Sequence, residues 1–172
     1  MKKHLLIPAG LLLAVLTAHG AGTQAETAID AKTAFTRLQS LVGEWEAKTP
    51  SGGKMPVTYE LIACGTALVE RETAENMPAM ETVYHLDGGR LMLTHYCMMG
   101  NQPRMQARAF NPETGELKFE FVDVTNLASP GAGHMHNATL RLIDNNHLDT
   151  NWQLYENGQP KLTEAGQYVR VR

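Results

Sequence analysis

From Gly43 to the C-terminus the chain loses the three- and four-residue spacing of a buried helix face, and short alternating or β-rich segments take over. Clusters of Gly, Asn, Asp and Pro separate them about every ten to fifteen residues, the pattern of antiparallel β-structure. Strands are predicted near Glu44 to Lys48, Val57 to Ala63, Ala67 to Thr73, Glu81 to Leu86, Arg90 to Tyr96, Met105 to Phe110, Leu117 to Val124, His136 to Ile143, Leu148 to Tyr155 and Lys161 to Val171. Four links carry residues that tolerate positive φ: Asp87-Gly88-Gly89, Asn111-Pro112-Glu113-Thr114-Gly115, Asp144-Asn145-Asn146 and Glu156-Asn157-Gly158. Successive hairpins make a meander. Closing a sheet of this size removes its edges, so the expected fold is an all-β, about ten-stranded antiparallel up-and-down barrel. Even eight strands can enclose a small ligand, so a cavity is expected with it. A flattened sandwich of two sheets is the competing architecture.

One segment ahead of the strands is helical. In Asp30 to Val42, the residues Phe35, Leu38, Leu41 and Val42 share a face, Asp30 can cap the N-terminus, and Gly43 can end the helix in the left-handed conformation. Further upstream, Met1 to His4 is basic and Leu5 to Thr17 is a largely apolar run too short to span a bilayer comfortably. Residues 1–25 therefore read as a signal peptide cut before Glu26, with a cut before Ala21 as the alternative and an uncleaved anchor as the competing reading. No cysteine precedes Cys64, so a lipoprotein attachment signal is missing. Residues 26–172 are then one domain, periplasmic or secreted, with no membrane partner after cleavage.

That mature segment has 13 basic against 18 acidic side chains, spread without a basic block, and so argues against a nucleic-acid partner. With 43% apolar and 19% charged residues overall, the chain can bury a core. Its two cysteines, Cys64 and Cys97, either bridge in an oxidising compartment or lie apart as buried thiols.

Five histidines follow the leader: His85, His95, His134, His136 and His147. A two- or four-residue loop in the Asp87 to Arg90 hairpin places Met80, Thr82 and Tyr84 on one face with Leu91, Leu93, His95 and Cys97, and puts His85 on the other. The first face is the expected cavity lining. Tyr84, Leu91, Leu93, His95, Arg104 and Trp152 are accordingly the candidate ligand-binding residues, with Arg104 either meeting a ligand carboxylate or holding its own loop through carbonyls.

His134 and His136, at i and i+2, would share a strand face about 6 to 7 Å apart. With His95 and Cys97 they form a candidate site for Zn or Cu, and the thioethers of Met98, Met99 and Met135 would favour Cu(I). Alternatively the pair is a solvent-facing stripe at a strand's beginning, and the methionines fill core gaps. No hydrolase elbow, zinc-protease motif, phosphate loop or dinucleotide fingerprint is present, and no catalytic residue is assigned. Acid–base chemistry by Tyr84 and His95 in a cavity is the remaining enzymatic reading.

Gly43-Glu44-Trp45 after a short helix resembles the lipocalin and fatty-acid-binding branch of the calycin barrels. The resemblance implies a structural tryptophan that plugs one end against a basic residue near the C-terminus, Arg170 or Arg172 here. One helix with ten strands is closer to the nitrobindin and fatty-acid-binding pattern than to the eight-stranded lipocalins. Thr82 to Gly88, Leu93 to Cys97, Gly100 to Met105, His134 to His136 and Trp152 to Gly158 also resemble secreted bacterial lipocalin-like proteins with no activity assigned to them. That likeness implies a fold and a compartment. Haem is not expected, because Glu46 to Gly53 departs from the glycine-rich first hairpin of nitrobindins and His147 falls in a turn. The expected function is binding of an apolar or amphipathic small molecule, with Zn or Cu binding as the alternative.

Overall fold

A computed structural model describes residues 29–48, 53–74 and 76–172. The leader read over residues 1–25 lies outside them. Helix α1 (Ala31–Gln39) is followed by ten strands: β1 (Gly43–Lys48), β2 (Lys54–Ile62), β3 (Ala67–Glu72), β4 (Met80–Asp87), β5 (Arg90–Tyr96), β6 (Gln102–Asn111), β7 (Glu116–Thr125), β8 (His134–Leu142), β9 (His147–Glu156) and β10 (Gln159–Arg170). Each strand pairs antiparallel with its neighbours in sequence, and β1 pairs with β10, giving one closed barrel and no sandwich. The closing seam is short: Trp45, Glu46 and Ala47 against Arg170, Val169 and Tyr168. No helix among the described residues is long and apolar enough to cross a membrane.

Three strands carry a proline ahead of the bounds predicted for them. Pro56, Pro103 and Pro160 pair with Glu46, Val124 and Tyr155 on one side. On the other side, the ladders start only at Val57, Arg104 and Tyr168. A proline has no N–H to give, so it fits where a strand has one partner.

Asp30 caps α1 as expected, accepting from the Thr33 N–H at 3.0 Å. The helix nevertheless stops at Gln39, with Ser40 as its cap, so Gly43 does not end it and Val42 is exposed. Gly43 has a different task. Its φ of 137° and the approach of the Arg172 carbonyl, 2.4 Å from where a Cβ would stand, let β1 start against the C-terminal backbone.

Phe35 and Leu38 bury the inner side of α1 over one barrel end, and Trp45 lies fully buried beneath, its indole N–H donating to the Leu41 carbonyl at 2.7 Å. The Arg170 guanidinium sits 4.3 Å over the Trp45 ring and donates to the carbonyls of Ser40, Val42 and Asn145. The tryptophan plug and its basic partner are therefore present, with Arg170 in that role, while Arg172 pairs with Glu44 at the surface. The turns β2–β3, β4–β5, β6–β7 and β8–β9 surround this end; the other five links lie at the far end.

Candidate functional site

Polar side chains collect inside the barrel, in a row that follows from strand register. Tyr59 on β2 pairs with Glu70 on β3, Glu70 with Thr82 on β4, and Thr82 with His95 on β5. All four are buried and face inward. Directly opposed residues on adjacent strands bring their Cβ atoms within about 4.5 to 5.5 Å, so the row forms a continuous band around nearly half the wall.

Glu70 is at its centre. Tyr59 donates to one carboxyl oxygen at 2.8 Å, and Tyr84, two residues from Thr82 on the same face, donates to the other at 2.7 Å. Burial raises the Glu70 pKa to about 8, with the Glu72 charge adding to the rise, and the two tyrosine bonds only partly offset it. Two positions along β3 toward the far end, Glu72 accepts from Tyr168 of β10 at 2.8 Å, a bond that reaches across from another part of the wall. Burial raises its pKa as well.

His95 ends the row. Its Nδ1 lies 2.9 Å from the Thr82 hydroxyl, and its ring packs against Trp152 of β9, on the opposite wall, with centroids 5.1 Å apart. The buried Nε2 has no hydrogen-bond partner among the described residues. Burial lowers the His95 pKa to about 4, so the ring is neutral at neutral pH.

The β4–β5 hairpin turns through Gly88-Gly89 with Asp87 opposite Arg90, and this two-residue loop produces the predicted parity. Tyr84, Leu91, Leu93, His95 and Cys97 are buried on the inner face, and Trp152 joins them from β9. Arg104 does not. Its side chain is exposed on the outer wall, with its fork engaged by Asp123 on β7, so it faces neither a ligand nor a loop carbonyl. The inward positions next to it on β6 are Pro103 and Met105, both buried.

The four expected metal ligands are not gathered. Among the described residues, no group of three or more His, Cys, Asp and Glu side chains is placed to hold a metal ion. His95 faces the interior, whereas His134 and His136 sit where β7 and β8 part beyond the Glu120–Asn137 pair. A β-bulge falls between Met135 and Asn137, and the two imidazoles lie side by side with ring centroids 5.3 Å apart, close to the predicted spacing. Their nitrogens face each other: His134 Nε2 and His136 Nδ1 lie 3.1 Å apart, His134 Nδ1 bonds the Ala132 carbonyl, and the His136 ring is stacked between Phe121 and Tyr155 at 4.3 and 4.0 Å. His134 donates from Nδ1 to that carbonyl, and in this tautomer of the neutral ring Nε2 accepts from His136, so the pair's facing nitrogens bind each other. Cys64 is exposed and Cys97 buried, both as free thiols. Burial raises the Cys97 pKa, which keeps the thiol protonated and poorly nucleophilic.

At the far end, Met77, Met98 and Met99 are exposed on the β3–β4 and β5–β6 links, and Tyr96, the last residue of β5, is exposed as well, giving a partial apolar fringe. Sequence reasoning found His95, Tyr84 and Trp152 but missed Tyr59, Glu70, Glu72 and Tyr168. The available signal was parity: Leu68, Glu70 and Glu72 alternate on one face of β3. No protein-family model matches the chain, and no curated protein matches its sequence.

Proposed function

We propose that this protein is a secreted or periplasmic lipocalin-like barrel that binds a small amphipathic molecule. The observation that carries the reading is His95 Nε2: a ring nitrogen inside a closed barrel, buried and without a protein partner. A buried polar atom left unpaired costs about 1 to 3 kcal/mol, and a guest that bonds it would recover much of that. The apolar fringe at the far end supports an amphipathic guest, since thioethers adapt to irregular apolar surfaces.

Nile red, a neutral amphipathic dye, tests the reading directly. Saturable binding at one dye per chain, with quenching of Trp152 in a Trp45→Phe background, is the expected result. A barrel that takes up no dye and shows no change in Trp152 emission would contradict it. Export belongs to the same reading. The exported chain is expected to start at Glu26, or at Ala21 by the alternative cut, and a secreted form that retains Met1 would contradict that part.

A further inference from the structure

The interior has acid groups and no base to balance them. Glu70 and Glu72 are held by tyrosine hydroxyls, and none of the ion pairs among the described residues involves either one. Every described lysine and arginine is exposed except Arg37 and Arg170, which are half-buried and donate to backbone carbonyls at the helix-covered end. His95 adds an unpartnered nitrogen but no positive charge. Hydroxyls of Tyr59, Tyr84 and Tyr168 are already committed as donors to the carboxyls. What this wall lacks is a positively charged donor.

We propose that the guest is a small amphipathic organic amine, whose ammonium group is received by Glu72 and His95 Nε2 beside the face of Trp152. This rests on the reading that the barrel holds a small molecule, and it names the chemistry of that molecule. Three features converge on it. Glu72 lies one inward step nearer the far end than the Glu70–Thr82–His95 row, and in the tautomer whose Nδ1–H donates to Thr82, His95 Nε2 is a second acceptor on that side. Trp152, packed against His95, supplies an aromatic ring at that position, which attracts a cation through the ring quadrupole. An anionic head group, such as a fatty-acid carboxylate, would find no positively charged side chain on this wall to receive it, since the described lysines and arginines are exposed or donate to backbone carbonyls.

Octylamine, octan-1-ol and octanoate share one apolar body and differ in head-group charge, so their dissociation constants for the mature chain at neutral pH, read by Trp152 quenching, isolate the claim. Octylamine is expected to bind about ten-fold or more tightly than octanol, with octanoate weakest, as a charge-assisted hydrogen bond implies. In Glu72→Gln the amine-to-alcohol preference is expected to collapse toward one while octanol binding persists. That persistence also shows the variant is folded. His95→Phe is expected to reduce the same preference in part. Octanol binding with no preference for the amine, or octanoate binding as tightly as octylamine, would overturn the amine inference and leave the small-molecule reading standing. Failure of all three to bind would overturn both.

Discussion

Glu70 sets an unusual pH response for a carboxyl group. Its pKa rises from 4.5 unfolded to about 8 folded, so below pH 4.5 both states hold the proton and its contribution to stability is full. As pH rises from there to about 8, the unfolded chain releases the proton while the folded chain retains it, and stability falls. Glu72 acts in the same direction. His95 opposes them: its pKa drops from 6.5 to about 4, so its protonation destabilises the fold only as pH falls below 6.5. Between pH 6.5 and 8 Glu70 releases its proton from the unfolded chain but not from the folded one, and the urea midpoint is expected to fall with pH, with a limiting slope of about 1.4 kcal/mol per pH unit for that proton. In Glu70→Gln that slope is expected to shrink; a wild-type midpoint that rises over this range would contradict the buried acid. The thiols give a second residue-scale test. One thiol per native chain, Cys64, is expected to react promptly with a thiol reagent, and the second, Cys97, only on unfolding; two fast thiols would place Cys97 outside the core.

At the level of elements, two contacts hold the helix-covered end in place. Gly115, at φ 69°, starts the return of the β6–β7 hairpin, and a Cβ there would lie 2.2 Å from the Leu142 carbonyl oxygen. Gly115→Ala is therefore expected to cost about 1 to 3 kcal/mol in denaturant melts, through backbone strain and the lost approach of β8. Arg170→Met is expected to cost about 1 to 3 kcal/mol, since it removes three carbonyl contacts and the cation over Trp45. A loss within error would mean that α1 and Trp45 hold the end without it. The strands and turns behind these contacts were legible because alternation and turn residues are local signals. The inward face of β5 was legible for the same reason, once the Gly88-Gly89 loop fixed parity. Glu70 and Glu72 were not, because a charged residue on a strand normally marks the solvent side, and only the pairing of Glu70 with Thr82 shows that it does not here. The β8 bulge escaped as well, because no residue type in His134-Met135-His136 announces it, whereas the nearness of the two imidazoles followed from their i and i+2 spacing. Arg104 was misplaced because the rim loop assigned to it is already strand, Pro103 being paired with Val124.

Across the whole molecule, closure places acidic and aromatic groups from β2, β3, β4, β9 and β10 around one interior while the basic side chains stay outside. The helix, Trp45 and Arg170 cover one end, and exposed thioethers lie on two links of the other. The barrel architecture is compatible with a lipocalin-like fold. The two tryptophans lie at opposite depths, Trp45 beneath the helix and Trp152 against His95. Their indole N–H signals in a proton–nitrogen correlation spectrum therefore report the two ends separately. On titration with octylamine, the Trp152 signal and the His95 ring nitrogens are expected to shift together and saturate at one equivalent, with Trp45 unmoved. Shifts confined to surface residues, with Trp152 and His95 unchanged, would contradict a guest inside the barrel.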